Sequence, residues 1–289
     1  MIKNRGHNGW YSLLRASIVA LLVGVSFVAE SQTAGQTRYM LTFRNGAGYG
    51  SFRDVGTSPR PYEELSIGPG LVFSAELKEW TFAGGFEALG GLSTSKVKAL
   101  IKKQQYTGYF GAGDVFVEAR KTIWRNLEET WRINLGGGLS NYTRVSYASK
   151  FQNASFALSD LIQPYFIFRA EYTIADTRSM AKLPGWFSAF GELRIAPIGL
   201  TYRPGFAYID NYTSGRETAD YIFSSYRTGV AWLPYTSMAA GVRFNLRSGN
   251  RIGLAYRWSY RSTHGSDYWQ YDEARHQIMV DFIFLLKKK

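Results

Sequence analysis

Thr263-His264-Gly265-Ser266-Asp267, followed by Glu273, places a candidate base two residues from a candidate nucleophile. Residues two apart on a strand share a face, so the imidazole and the hydroxyl could meet. Acyl transfer uses a Ser beside a His, with an acid such as Asp267 or Glu273 to orient the ring. A second set is basic. Lys96-Val97-Lys98-Ala99-Leu100-Ile101-Lys102-Lys103 carries Lys96, Lys98, Lys102 and Lys103 within one short segment, a composition suited to clamping phosphate or to a solvated loop. Other chemistries find no support. The chain has no cysteine, which excludes thiolate metal sites, a Cys nucleophile and disulfide staples. It has only three histidines and no carboxylates at the spacing of a calcium loop, so neither a metal nor a cofactor is expected. Gly46-Ala47-Gly48-Tyr49-Gly50 is followed by no helix pattern, so it is not a dinucleotide loop.

The elements that position these residues have a period of two. In Arg251–Arg261 the even positions are Ile252, Leu254, Tyr256, Trp258 and Tyr260, and the odd ones include Arg251, Arg257 and Arg261. That is the strand period, with one apolar face and one basic face. Similar rows recur. Leu41 and Phe43 oppose Arg44, Phe166 and Phe168 oppose Arg169 and Glu171, and Val242 and Phe244 oppose Arg243. The last strand has the apolar row His276, Ile278, Val280, Phe282, Phe284 and Leu286. A soluble sandwich would bury the apolar rows, whereas a transmembrane barrel would turn them to lipid and the charges to its lumen.

The N-terminus favours export. Lys3, Arg5 and Arg15 precede the apolar run 18–28, and Ala29-Glu30-Ser31 is a small-x-small cleavage site. Residues 1–31 have the form of a signal peptide, with a mature domain over 32–289. No later segment is apolar for the 18 or more residues of a membrane helix. Tyr, Phe and Trp together make 16% of the chain, as aromatic girdles require, and glycine numbers 30. The formal charge is +12, but no nucleic-acid-binding motif accompanies it. For an exported chain the partners to expect are outer-membrane lipid and lipopolysaccharide, with a small anionic solute or other envelope proteins beyond them.

These features resemble outer-membrane β-barrel proteins of Gram-negative bacteria. The resemblance implies an all-β, antiparallel up-and-down barrel located in the outer membrane. Segment 52–59 is also similar to stretches of barrel proteins with no assigned activity, while the Lys287-Lys288-Lys289 tail departs from the usual aromatic end. The pattern predicts about twelve strands, at 38–50, 64–76, 80–92, 105–119, 129–139, 161–174, 186–196, 198–209, 220–233, 237–247, 251–261 and 275–286. Pro197, Pro204 and Pro234 disturb the alternation of long and short links, which leaves ten or fourteen open. The lumen row is then Arg44, Glu87, Arg132, Arg169, Glu171, Glu192, Arg194, Arg203, Arg227, Arg243, Arg257 and Asp281. It suits either a plug of ion pairs or a narrow anion-selective pore, and the acids favour the plug. The main expectation is a non-enzymatic barrel with a structural or narrow-pore role. The His264-x-Ser266 pair also resembles that of the lipid A deacylases, which implies the runner-up, a membrane-embedded lipid hydrolase. There the His takes the Ser proton and an acid orients the His. The neighbouring residues do not match that family, and the chain is longer than its eight strands need. A third expectation is a soluble periplasmic sandwich or lipocalin-like binder.

Overall fold

The computed structural model describes residues 37–54, 58–98, 103–128, 130–147, 156–173, 185–204, 226–246, 248–263 and 270–288. The segment 1–31 lies outside them. Ten strands run in chain order: β1 Thr37–Asp54, β2 Ser58–Leu77, β3 Trp80–Lys98, β4 Lys103–Arg125, β5 Trp131–Tyr147, β6 Phe156–Thr173, β7 Gly185–Pro204, β8 Tyr226–Leu246, β9 Arg251–Ser262 and β10 Tyr271–Lys288. Each pairs antiparallel with its sequence neighbours, and β1 pairs with β10, so the sheet closes into a barrel.

The faces assigned by alternation are those observed, and the distribution is inverted relative to a soluble protein. Ile67 is 73% exposed on the outer wall, whereas Arg144 is 1% exposed inside. Leu254, Phe166, Val242, Phe282 and Trp232 all stand outward. A soluble sandwich would bury these rows, so that expectation fails. Trp80, Trp131, Tyr172 and Phe187 lie near one end of the wall, where an aromatic girdle belongs.

The strand count corrects the twelve expected. The described parts of 186–196 and 198–209 belong to one strand, β7, and those of 220–233 and 237–247 to one strand, β8; 205–209, 220–225 and 247 lie outside the described residues. Proline lacks the N–H that a ladder needs, which makes it look like a strand end in sequence. Here Pro164, Pro197 and Pro234 fall on three adjacent strands, inside linked bulges. Three residues of β6 face four of β7 between the pairs Ile162↔Leu200 and Phe166↔Ile195. Pro197 alone faces Leu233 and Pro234, between Ala196↔Tyr235 and Ile198↔Trp232. Leu233 takes up the extra residue with φ of 46°. Grouping the missing donors in one seam lets all three strands continue past it.

The outer connections also differ from expectation. Stretches expected as loops at 51–63, 93–104 and 140–160 are largely strand. About ten tilted residues cross a bilayer, whereas β4 has 23. The wall therefore continues past the apolar belt, where its outward residues become polar and look like loop. The short gaps between 64–76 and 80–92 and between 237–247 and 251–261 are tight turns, as those bounds imply. Leu77 pairs with Trp80 across Lys78-Glu79, and Gly249, with φ of 87°, donates to the Leu246 carbonyl at 2.9 Å. Glycine is favoured there because a side chain would be strained at that φ.

Leu254→Arg tests the outward assignment. At the midplane of a lipid-facing wall it should cost roughly 2–4 kcal/mol, measured by denaturant unfolding in lipid vesicles. Unchanged stability would contradict the assignment.

Candidate functional site

A lumen enclosed by ten strands is narrow enough for side chains from opposite walls to meet. Inward residues here are mostly charged, and charges removed from water need partners. They form three interlocking groups.

The first spans the closing seam. Arg44 Nε and Nη2 donate to Asp281 at 2.7 and 2.9 Å, and Arg44 Nη1 donates to Glu87 at 2.5 Å. Arg257 reaches the same carboxylate from β9, at 2.6 and 3.2 Å. The second group lines the opposite wall. Arg169 bridges Glu171 at 2.6 Å and Glu192 at 2.8 Å. Arg194 bridges Glu192 at 2.8 Å and Glu118 at 3.1 Å. Arg243 lies 3.4 Å from Glu171, and Arg120 lies 3.6 Å from Glu192. Arg169 also stacks 4.1 Å over Phe190.

The third group fills the outer end. Arg144 and Arg275 flank Glu64 and Glu273, all at most 2% exposed. Arg144 bonds Glu64 directly, and Arg275 bonds Glu273 at 2.6 Å. Glu273 also accepts from the hydroxyls of Tyr142, at 2.8 Å, and Tyr271. Arg144 sits 3.8 Å over Phe52 and 4.4 Å over Phe110. Those aromatic faces help hold a cation where water is excluded. Arg261 links this group to the middle, bonding Asp114 at 2.9 Å beneath Tyr142. Arg203 pairs with Asp54 at 2.6 Å.

Most of the expected lumen residues are therefore brought together. Arg132 also faces inward and lies opposite Glu171 in the register. Arg227 lies opposite Arg203, but its side chain is outside the described residues. Sequence reasoning missed Asp54, Glu64, Glu76, Asp114, Glu118, Arg120, Arg144, Arg261 and Arg275 as network members, and it placed Glu273 only as a possible catalytic acid. Several lie in the upper wall that looked like loop. The alternation continues there, with Ser140, Tyr142 and Arg144 inward beyond Leu139, and following it would have found them.

His264, Ser266 and Asp267 lie outside the described residues, as does Lys102. Lys98 of β3 pairs with Lys103 of β4 at the hairpin's end, and Lys96 pairs with Gln105. The side chains of Lys96, Lys98 and Lys103 are outside the described residues. His276 faces outward, as its place in the apolar row required, and its Nδ1 lies 2.6 Å from the Tyr256 hydroxyl.

Two polar cavities in the middle measure about 10 Å³ each, enough for about one water molecule apiece. Both are lined by Glu87, Asp114, Tyr235 and Arg257.

Among solved structures, the outer membrane protease OmpT from Escherichia coli is similar with a TM-score of 0.50 over 88% of this chain and 99% of that one, at 9% identity. The chain has the fold of an outer-membrane β-barrel. At that identity the likeness extends to the fold alone. The translocator domain of the autotransporter NalP from Neisseria meningitidis matches over 95% of this chain and 98% of its own, with a TM-score of 0.36 and 9% identity. Neisserial surface protein A matches over 87% and 100%, with a TM-score of 0.32 and 9% identity. No family model matches the chain, and no curated protein matches it in sequence.

Arg144→Ala should be strongly destabilising, by about 3–5 kcal/mol, because it leaves Glu64 and Glu273 buried with a cation removed. Thermal unfolding of the detergent-solubilised protein measures this. A Tm within a degree of wild type would show that the upper network contributes nothing.

Proposed function

We propose that this protein is an outer-membrane barrel of structural role, closed to solutes by an ion-pair plug. The observation that carries this reading is the pairing of the inward arginines with carboxylates. On the residues first expected, arginines outnumbered acids, which suited an anion pore. Asp54, Glu64, Glu76, Asp114, Glu118 and Glu273 add to the acids, and although arginines still outnumber them, Arg120, Arg144, Arg251, Arg261 and Arg275 each meet a carboxylate. An anion pathway needs cations left free to meet the solute. Here each of Arg44, Arg169, Arg194 and Arg257 is within 2.8 Å of a carboxylate oxygen. The small cavities support the same reading, because neither admits a solute larger than water.

The wild-type chain in planar bilayers tests this. The plug predicts no steady conductance. A steady current with anion preference would replace the plug by the narrow pore.

The outer wall has a second proposed role, contact with lipopolysaccharide. Strand alternation places positions 96 and 98 in the same row as Leu92, and 103 in the same row as Tyr109, both exposed on the outer wall. On this reading Lys96, Lys98, Lys102 and Lys103 meet headgroup phosphates beyond the apolar belt. Replacing all four lysines by Glu should reduce the lipopolysaccharide that copurifies with the barrel, and lower its Tm more in lipopolysaccharide vesicles than in neutral phospholipid. Equal retention in wild type and variant would remove this role.

A further inference from the structure

We propose that the periplasmic mouth of the lumen binds phosphate, either as the free ion or as the phosphate group of a small phosphomonoester. Short turns and both chain ends mark the periplasmic side of an outer-membrane barrel. Among the described residues, the excess of arginine over acid inside the barrel gathers at that side. At the outer end Arg144, Arg203, Arg261 and Arg275 stand with Asp54, Glu64, Asp114 and Glu273. In the middle Arg44, Arg169, Arg194 and Arg257 stand with Glu87, Glu118, Glu192 and Asp281. The level nearest the short turns holds Arg120, Arg132, Arg243 and Arg251, but only Glu76 and Glu171.

The ion pairs at this level are also the loosest. Each arginine of the other two levels has a carboxylate oxygen within 2.9 Å. Glu171 is already held by Arg169 at 2.6 Å, and Arg243 reaches it only at 3.4 Å. Arg251 reaches Glu76 at 3.3 Å, and Arg120 reaches Glu118 and Glu192 at 3.5 and 3.6 Å. The guanidiniums of Arg169 and Arg243 both lie over Phe190, at 4.1 and 4.7 Å from the ring centre. Two like charges thus share one ring and one carboxylate. On this pair, Arg169 Nη2 and Arg243 Nε are buried and donate to nothing. Donors left without an acceptor are costly, so a further acceptor is favoured beside them.

The mouth is open to water where the outer end is not. Glu76 and Glu171 point into the barrel, yet their side chains are 33% and 26% exposed. Glu64, Glu273, Arg144 and Arg275 at the outer end are at most 2% exposed. A solute therefore meets the mouth arginines from the periplasm without entering the plug. Phosphate fits the shortfall better than a halide or a monocarboxylate. It carries up to two negative charges, and its several oxygens can accept from more than one guanidinium fork. The site goes beyond the closed barrel proposed above and stands apart from the lysines of the outer wall.

The test is equilibrium dialysis of the full chain, folded in an uncharged detergent, against radiolabelled inorganic phosphate. Potassium chloride keeps the ionic strength constant, and heat-modifiable gel mobility checks folding. Wild type should bind phosphate saturably, with one site per chain. Displacement by glycerol 3-phosphate assigns the site to phosphomonoesters as well, and no displacement assigns it to the free ion. Arg243→Gln and Arg251→Gln should each weaken binding about tenfold or more, since each removes a charge-assisted hydrogen bond. Glu76→Gln should tighten it, because an opposing charge is lost and Arg251 is released. Arg243→Lys guards against misfolding of the glutamine variant. It keeps the charge, so it should bind more tightly than Arg243→Gln. No saturable binding to folded wild type would overturn the site. Unchanged affinity in both glutamine variants, or binding lost when Lys96, Lys98, Lys102 and Lys103 are replaced by Glu, would put the phosphate elsewhere and overturn it too. The readout is binding alone, so a conducting lumen would remove the plug and leave this result standing.

Discussion

A sheet in hydrocarbon cannot have an edge, because unpaired backbone N–H and C=O groups find no water there. Everything else in this molecule follows from that closure. The first and last strands must pair, and they do so from Arg38↔Lys288 to Asp54↔Tyr271. Arg44 and Asp281 are partners in this ladder, and their side chains also form a salt bridge at 2.7 Å. The closing seam is thus held twice, by its backbone and by a charged pair inside it. Ten strands in turn set a lumen too narrow to stay watery once long side chains enter it.

That narrowness decides the energetics of the interior. An arginine taken from water into a confined space costs several kcal/mol unless carboxylates compensate it. Chains of alternating sign provide this compensation, since each carboxylate can serve two guanidiniums. Glu87, Glu192 and Glu273 each do so. Aromatic faces take up some of the remaining demand, as Phe52 and Phe110 do for Arg144. Such a network holds a specific arrangement firmly, and the removal of one member exposes several others.

The three prolines show how the same closure tolerates irregularity. A proline in a membrane strand leaves a carbonyl without its donor, and three scattered prolines would break the ladder in three places. Placed on β6, β7 and β8 beside one another, they share a single seam of bulges. Inside this seam Tyr165, Ile167, Ala196 and Tyr235 pack together and replace some of the lost cohesion with burial.

Alternation is a local property, and it determined which residues face lipid and which face the lumen. Leu254 and Arg257, or Phe166 and Arg169, could be assigned from spacing alone because a strand turns successive side chains to opposite sides. The tight turns at Lys78-Glu79 and Ser248-Gly249-Asn250 were legible for the same reason. The number of strands was not. Whether Pro197 and Pro234 end strands or lie within bulges depends on what the neighbouring strands place beside them, which spacing along one strand does not carry. The upper wall was hidden by its polar outward residues, which have the composition of loops once lipid no longer faces them. Above all, the partners were undetermined. Sequence could name Glu87 and Arg257 as inward charges, but they are 170 residues apart. Only barrel closure, register and the width of the lumen bring them together.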